Sequence, residues 1–276
     1  MLTFVDAISL AGDRNKQNDD AYGFANGRVW VLDGATDLHD APLSGYASDA
    51  AWIARFASAY LHGAGGSDLR DIVRNVSQAA ADAFAALIGG KSYERWQSPI
   101  SSLVLLEESE AGVRGLDLGD SRLFALDADG AVHVCGGAEG ARDAEAAAAA
   151  KQTDADKPLL RRTATIDMLR RGRAAHNQPG AHWTFGLDPA CADHARTWAL
   201  PLKRPAHVLL MTDGFSVLAD QYGVYDEAGL VQAARDLGVH ELAREIRAIE
   251  NADALGAAHP RFKKSDDATA VLLRLP

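Results

Sequence analysis

Apolar residues alternate with polar ones, or run in short blocks, along most of this chain, and the blocks end at Gly, Asp or Asn. Such segments predict strands at 2–10, 20–25, 28–33, 100–107, 112–118, 121–127, 131–135, 195–200, 206–212 and 268–275. The polar breaks at 25–27, 107–112, 119–121 and 127–130 have hairpin length, which predicts mostly antiparallel sheets. A helical period takes over in 43–62, where Tyr46, Ala50, Ile53, Ala54, Ala57 and Leu61 share a face, and again in 67–88, 226–237 and 240–255. Strands and helices fall in separate blocks, an α+β pattern in which helices layer on antiparallel sheets. With no repeat and no long linker, residues 1–276 read as a single domain.

One segment breaks the pattern. Residues 136–182 begin with an alanine-rich polar stretch and continue through "LLRRTATIDMLRRGR" at 159–173. Leu159, Leu160, Ile166 and Leu169 give the basic stretch an apolar side, so its arginines are expected to coat the wet face of a helix. The composition predicts a surface insertion, either a flap beside a site or a passive decoration.

Charge and composition narrow the function classes. The 276 residues are 47% hydrophobic, enough for a substantial core, and the formal net charge is −10. That field disfavours nucleic-acid backbones as partners. No apolar stretch approaches the roughly 18–20 residues of a membrane span, and the N-terminus does not read as a signal peptide. Two cysteines, Cys135 and Cys191, do not make a disulfide framework. A cytoplasmic protein without membrane or nucleic-acid partners is expected.

The chemistry-bearing feature is a repeated one: a carboxylate at the edge of an apolar strand. It occurs at Asp33 in "VWVLDGA", Asp120 in "GLDLGDSR", Asp213 in "VLLMTDGFSVL" and Asp266 and Asp267 in "KKSDDATAVLLRL", with Asp19 and Asp20 near the start. Each Asp-Gly alone is also an ordinary turn signal. An ionised carboxylate at the rim of a core is costly unless paired or bound to metal, and no Lys or Arg adjoins Asp33 or Asp213 in sequence. Strand ends far apart in the chain can converge, and a divalent cation offsets the resulting repulsion. Oxygen-only ligands select Mg²⁺ or Mn²⁺. The glycine after Asp33 would let a backbone carbonyl approach such an ion.

Taken in order, these segments resemble the metal-dependent serine/threonine protein phosphatases of the 2C type. "NDDAY" at 18–22 looks like their opening triplet, "VWVLDG" at 29–34 like their strand ending in Asp-Gly, and "GDSR" at 119–122 stands intact. "LLMTDGFSVL" at 209–218 and "DDATAVLL" at 266–273 match the later acidic motifs, and "HNQPGAHWTFGLD" at 176–188 is similar to the stretch leading out of the family's flap. The resemblance implies a four-layer α-β-β-α sandwich, two antiparallel sheets flanked by helix pairs, with 136–182 as the flap-like insertion. It implies two Mn²⁺ or Mg²⁺ ions at one end of the sandwich. Asp33 would bridge them, the Gly34 carbonyl would bind one, and Asp213 and Asp266 would complete the other. Asp19 would act through water with Asp20 beside it, and Asp120 would serve a third, weaker ion.

The implied activity is hydrolysis of phosphoserine and phosphothreonine in proteins by a metal-activated water, with a phosphoprotein substrate and, as a further candidate partner, a cognate kinase. Three positions depart from the family pattern. The expected phosphate-clasping arginine, five residues before Asp20, is Asn15, and Arg14 is one step away. Ala35 stands where eukaryotic members often carry a histidine, leaving water or His39 to protonate the leaving group. Asp19 replaces a longer glutamate. These departures keep two alternatives open: a catalytically weak regulatory or phosphopeptide-binding module, and a small-metabolite phosphatase.

Overall fold

The strand residues are apolar at odd and even positions alike because each sheet is covered on both faces. In β3 (Arg28–Gly34), Val29 and Val31 point one way and Trp30 and Leu32 the other, and all four are fully buried. Val29 and Val31 share a core with Val104, Leu106 and Val113 of their own sheet and with Leu123, Val208, Leu210, Val271 and Leu273 of the second. Trp30 and Leu32 belong to another core, with Leu103, Leu105 and the apolar faces of two helices. The second sheet has its own outer core, in which Phe124, Leu209, Met211 and Leu272 meet a further set of helices. Three apolar layers therefore separate four structural layers, helices–sheet–sheet–helices. The computed structural model describes residues 1–137, 140, 146–152, 157 and 159–276.

One sheet has the order β1 (Thr3–Leu10), β11 (Ala268–Leu275), β10 (Ala206–Met211), β6 (Arg122–Leu126), β7 (Val132–Gly136). The other runs β2 (Asp20–Ala25), β3, β4 (Ile100–Ser109), β5 (Gly112–Leu118), β9 (Arg196–Pro201), with the short β8 (Phe185–Gly186) paired to β4. Every pairing is antiparallel. Helices α1 (Asp49–Gly63) and α2 (Leu69–Ile88) cover the β3 sheet, and α4 (Asp213–Asp220), α5 (Glu227–Leu237) and α6 (Val239–Ala252) cover the other. Helix α3 (Thr163–Ala175) lies in the 136–182 segment.

Three expectations change. The break at 119–121 is not a hairpin: β5 and β6 lie in different sheets, and the chain crosses between them at Gly119, whose φ of +81° suits glycine. The segment 213–220, for which no helix is expected and whose Asp213-Gly214 alone is a turn signal, is helix α4. Tyr46 is exposed and precedes α1, which starts at Asp49 behind the N-cap Ser48.

The arginines of 159–173 also differ from a uniformly wet face. Arg162 is buried, its Nη1 donating to Phe262 O at 2.7 Å. Arg170 Nε and Nη2 donate to Leu38 O at 3.1 and 2.7 Å, with the guanidinium 4.3 Å from the Trp96 ring centre. Arg173 donates to Ala35 O at 3.4 Å and Thr36 O at 3.2 Å. Helix α3 thus packs on the loop that follows Asp33. The alanine-rich helix expected earlier in the insertion falls partly outside the described residues.

Candidate metal centre

Strand register explains why the carboxylates meet. Asp20 opens β2 directly opposite Asp33 at the end of β3, and Asp33 is opposite Ser102 at the start of β4. In the other sheet Met211, the end of β10, pairs with Ala270 near the start of β11 and with Arg122 at the start of β6. Leu10, the end of β1, pairs with Ala268. All these strand termini lie at one end of the sandwich, so Asp19, Asp20, Asp33, Asp120, Asp213 and Asp266 are delivered to that end. Asp33 extends the Val29–Val31 row, so its side chain leans into the gap between the sheets. The apolar inner layer ends in carboxylates.

The electrostatics record the convergence. Burial first, then the charges of Asp20, Asp213, Asp120 and Asp266, push the Asp33 carboxyl well above the usual carboxylate range. Burial, with Asp267 and Asp266 adding to it, does the same to Asp20, while hydroxyls of Thr269 and Thr212 hold it down. Asp20 Oδ2 accepts from Thr212 Oγ1 at 2.9 Å, and Thr212 Oγ1 accepts from Thr269 N at 3.0 Å. The other oxygen, Asp20 Oδ1, is buried without a hydrogen-bond partner.

Asp19 sits slightly apart. Its Oδ1 accepts from Ser48 Oγ at 2.6 Å, at the N-terminus of α1. Burial is the main cause that raises its pKa to about 6, with Ser48 opposing and Asp267 adding to it. Asp213 is the first residue of α4, where the helix dipole favours a carboxylate. Asp120 is exposed at the sheet-crossing corner. Arg122 of the same motif stays on the sheet, its Nη1 3.4 Å from Asp220 Oδ1, and so ties β6 to α4.

The glycines beside these acids have no room for a side chain. A Cβ on Gly34 would lie 2.5 Å from Ala50 O and 2.6 Å from Asp19 O, and one on Gly214 would meet Asp267 O at 1.9 Å.

Arg14, the expected phosphate clasp, lies exposed in the turn of the loop joining β1 to β2. His39 is turned elsewhere: its Nδ1 is 2.7 Å from Ala41 O and its Nε2 3.6 Å from Asp49 Oδ2. Asp37, His39 and Asp49 form a compact triad with metal-ligating atom types. The carboxylates in it are already satisfied by backbone. Asp49 accepts from Leu43 N and Ser44 N at 2.7 and 2.8 Å, and Asp37 from Asp49 N and Ala50 N at 2.9 and 3.3 Å. The triad fixes the start of α1.

Two residues of the centre had no role assigned from sequence, although Asp267 stands in the acidic motif beside Asp266. Asp267 accepts from Gly12 N at 2.7 Å and Asp19 N at 2.6 Å, clasping both ends of the β1–β2 loop. Lys263 Nζ donates to Asp266 Oδ1 at 2.6 Å and Thr36 Oγ1 at 2.8 Å. No Lys or Arg adjoins Asp33 or Asp213 in sequence, yet an ammonium reaches the centre from three residues before Asp266. Carboxylates raise the Lys263 pKa, Asp266 foremost, against the opposing effect of burial. Its i,i+3 spacing to Asp266 was the available signal.

The donor set fits hard divalent cations. It is all oxygen, it converges, it leaves a buried carboxylate oxygen unpartnered, and a small cavity of about 40 Å³ lined in part by Asp213, Gly214, Lys263 and Asp266 adjoins it.

Fold and centre together define a class: a two-sheet, four-layer sandwich with an acidic centre at one end. A profile of the protein phosphatase 2C family matches residues 12–252, and the chain belongs to that family. A search of curated proteins found no match. Among solved structures, PppA, a regulatory component of T6SS in Pseudomonas aeruginosa, is 19% identical with a TM-score of 0.55, covering 99% of each chain. The Mycobacterium tuberculosis serine/threonine phosphatase PstP/Ppp is 17% identical with a TM-score of 0.54, over 99% of this chain and 98% of that one. A PstP catalytic domain in complex with two manganese ions aligns at 17% identity and TM-score 0.54, over 99% of both chains. At these identities the structural likeness bears on fold alone. Among the described residues, no helix is long and apolar enough to cross a membrane.

Proposed function

We propose that this chain is a metal-dependent phosphatase that hydrolyses phosphoserine and phosphothreonine monoesters in proteins. The observation that carries the reading is the meeting of Asp33 with Asp20, Asp120, Asp213 and Asp266 at one end of the sandwich. Asp33, Asp213, Asp266 and the Gly34 carbonyl would hold two Mn²⁺ or Mg²⁺ ions, with Asp19 and Asp20 supporting through water and Asp120 serving a third. Family membership and the manganese complex of PstP support this assignment. Bound ions of this kind neutralise a phosphate dianion and activate water for in-line attack on phosphorus.

The protein's own part is positional. Asp33 and Asp20 are fixed by the β2–β3 register, Asp213 by the start of α4, and Asp19 by Ser48 and Asp267. Ala35 offers no proton, and His39 is engaged with Ala41 and Asp49, so solvent is the proton source for the leaving group. Arg14, on an exposed turn of the β1–β2 loop, is the candidate contact for the substrate phosphate. A groove of about 600 Å³ lined by Asp20, Tyr22, Arg55 and His62 adjoins the centre.

The test is Mn²⁺-dependent release of phosphate from p-nitrophenyl phosphate and from phosphoserine and phosphothreonine peptides. Activity is expected with Mn²⁺, and loss of it with chelator or in Asp33→Asn. No turnover at any Mn²⁺ concentration would refute the assignment, and turnover confined to small phosphates would refute the protein substrate.

A further inference from the structure

The acidic centre carries a positive charge that none of the sequence motifs assigned to it. Asp266 Oδ1 accepts from Lys263 Nζ at 2.6 Å and from Asp267 N at 2.9 Å, so both donors converge on one carboxylate oxygen. The ammonium is also anchored on Thr36 Oγ1 at 2.8 Å, across the mouth of the centre on the loop behind β3. The backbone that presents Lys263 is fixed independently. Phe262 is buried, its carbonyl accepts from Arg162 Nη1 at 2.7 Å, and Arg261 is held by Asp253 Oδ2 at 2.9 Å and Lys264 O at 2.9 Å. Lys263 is thus held in position at both ends of its side chain. An ammonium and a divalent ion draw on the same carboxylate lone pairs and repel each other when close.

We propose that Lys263 is an intramolecular counter-ion of the metal centre, which occupies Asp266 in the metal-free protein and has to leave it when an ion binds there. This rests on the metal-dependent reading above and adds to it that ion affinity at Asp266 is set by competition with the protein's own cation. Removing the charge therefore has opposite effects on the two states: the metal-free fold weakens and ion binding tightens. A residue that only filled space would weaken both.

The experiment titrates the full chain with Mn²⁺ as wild type, Lys263→Gln and Lys263→Met. Calorimetry and the electron paramagnetic resonance signal of free Mn²⁺ report binding, and thermal unfolding in chelator reports the metal-free state. Gln keeps a donor for Asp266 and Thr36 and removes only the charge. The expected result is about tenfold tighter binding of the weakest ion in both variants, together with a lower metal-free melting temperature. Thr36→Val, which keeps the charge but cuts its second anchor, gives an independent measurement if the Lys263 variants fail to fold. It should tighten binding by roughly twofold to threefold.

Binding by the wild type with equal or weaker binding by the variants overturns the counter-ion and leaves the metal centre standing. Absence of Mn²⁺ binding in every form overturns the metal centre itself, and the counter-ion with it.

Discussion

The acidic centre has two unlike halves. Around Asp20 the carboxylate is held by hydroxyls of Thr212 and Thr269, no basic group is among the principal influences on it, and one oxygen is buried without a partner. Around Asp266 the carboxylate carries an ammonium, and both members of the pair are partly open to solvent, at 32% and 40% exposure. Asp33 stands between them and feels the charge of both acids. A hydroxyl-held carboxylate keeps its place without a basic partner. A lysine-paired one is neutralised but has to exchange partners to bind anything else. On the proposed metal-dependent reading, the first half lacks a cation of its own and the second already holds one, so a single centre contains both a demand for cation and a competitor for it.

Removing the residue common to both halves has the largest consequence. Asp33→Asn should lower turnover of p-nitrophenyl phosphate by about a thousandfold or more, on the several kcal/mol that metal ions supply to such transition states. The same variant should raise the metal-free melting temperature, because it deletes the carboxylate under most repulsion. Opposite signs in the two assays separate a functional acid from a structural one. A fall in both would mean that Asp33 holds the fold.

The halves themselves respond differently to neutral substitution. Asp20→Asn removes a buried charge whose second oxygen lacks a partner, and should stabilise the metal-free protein by about 1–2 kcal/mol. Asp266→Asn strips Lys263 of its partner and should destabilise it by about 1 kcal/mol. Chemical denaturation in chelator checks both. Changes of the same sign would abolish the distinction between the halves.

Acidity gives a graded version of the same test. Asp19, Asp20 and Asp33 bind their protons more tightly folded than unfolded, so the metal-free fold loses stability as pH rises from the ordinary carboxylate range through their raised values. For Asp19 the window runs from 3.8 to about 6. That gap corresponds to about 3 kcal/mol at most, and partial solvent screening reduces it to about 1–2 kcal/mol. The Lys263 ammonium itself stays charged throughout this window, since its pKa is raised above the ordinary lysine range. Unfolding in chelator between pH 4 and 7 should therefore show stability falling with pH, and saturating Mn²⁺ should flatten the slope.

Much of this was legible in the chain because local and global signals agree. The apolar blocks located ten strands, and β8 escaped because two residues carry no period. The turn at 119–121 misled because a short polar break looks the same whether the next strand pairs in the same sheet or crosses to the other. Helix α4 was hidden by Thr212-Asp213-Gly214, a turn signal that here caps a helix of eight residues. The acids at strand ends were visible as types, and their convergence is a property of register. What sequence reasoning missed were partners: Lys263 and Asp267 lie within three residues of Asp266, but neither was given a role at the centre. Arg170 and Arg173 looked like a wet helix face until α3 was seen against the loop behind Asp33.

Those arginines provide the smallest and most selective probe. The loop 35–38 is held from one side by Lys263 through Thr36 and from the other by α3 through Arg173 and Arg170. Burial, partly offset by Asp37 and Asp33, lowers the Arg173 pKa to about 10, so that guanidinium belongs to the electrostatics of the centre. Arg170 is one helical turn away and bonds Leu38 O and stacks on the Trp96 ring. Arg170→Ala should loosen α3 by about 1 kcal/mol without altering any carboxylate. If α3 is a flap that helps seat a polypeptide, KM for a phosphopeptide should rise about fivefold while kcat for p-nitrophenyl phosphate stays unchanged. Equal losses in kcat for both substrates would instead make the α3 clamp part of the acidic centre, since only a displaced Asp33 loop affects a substrate too small to touch the helix.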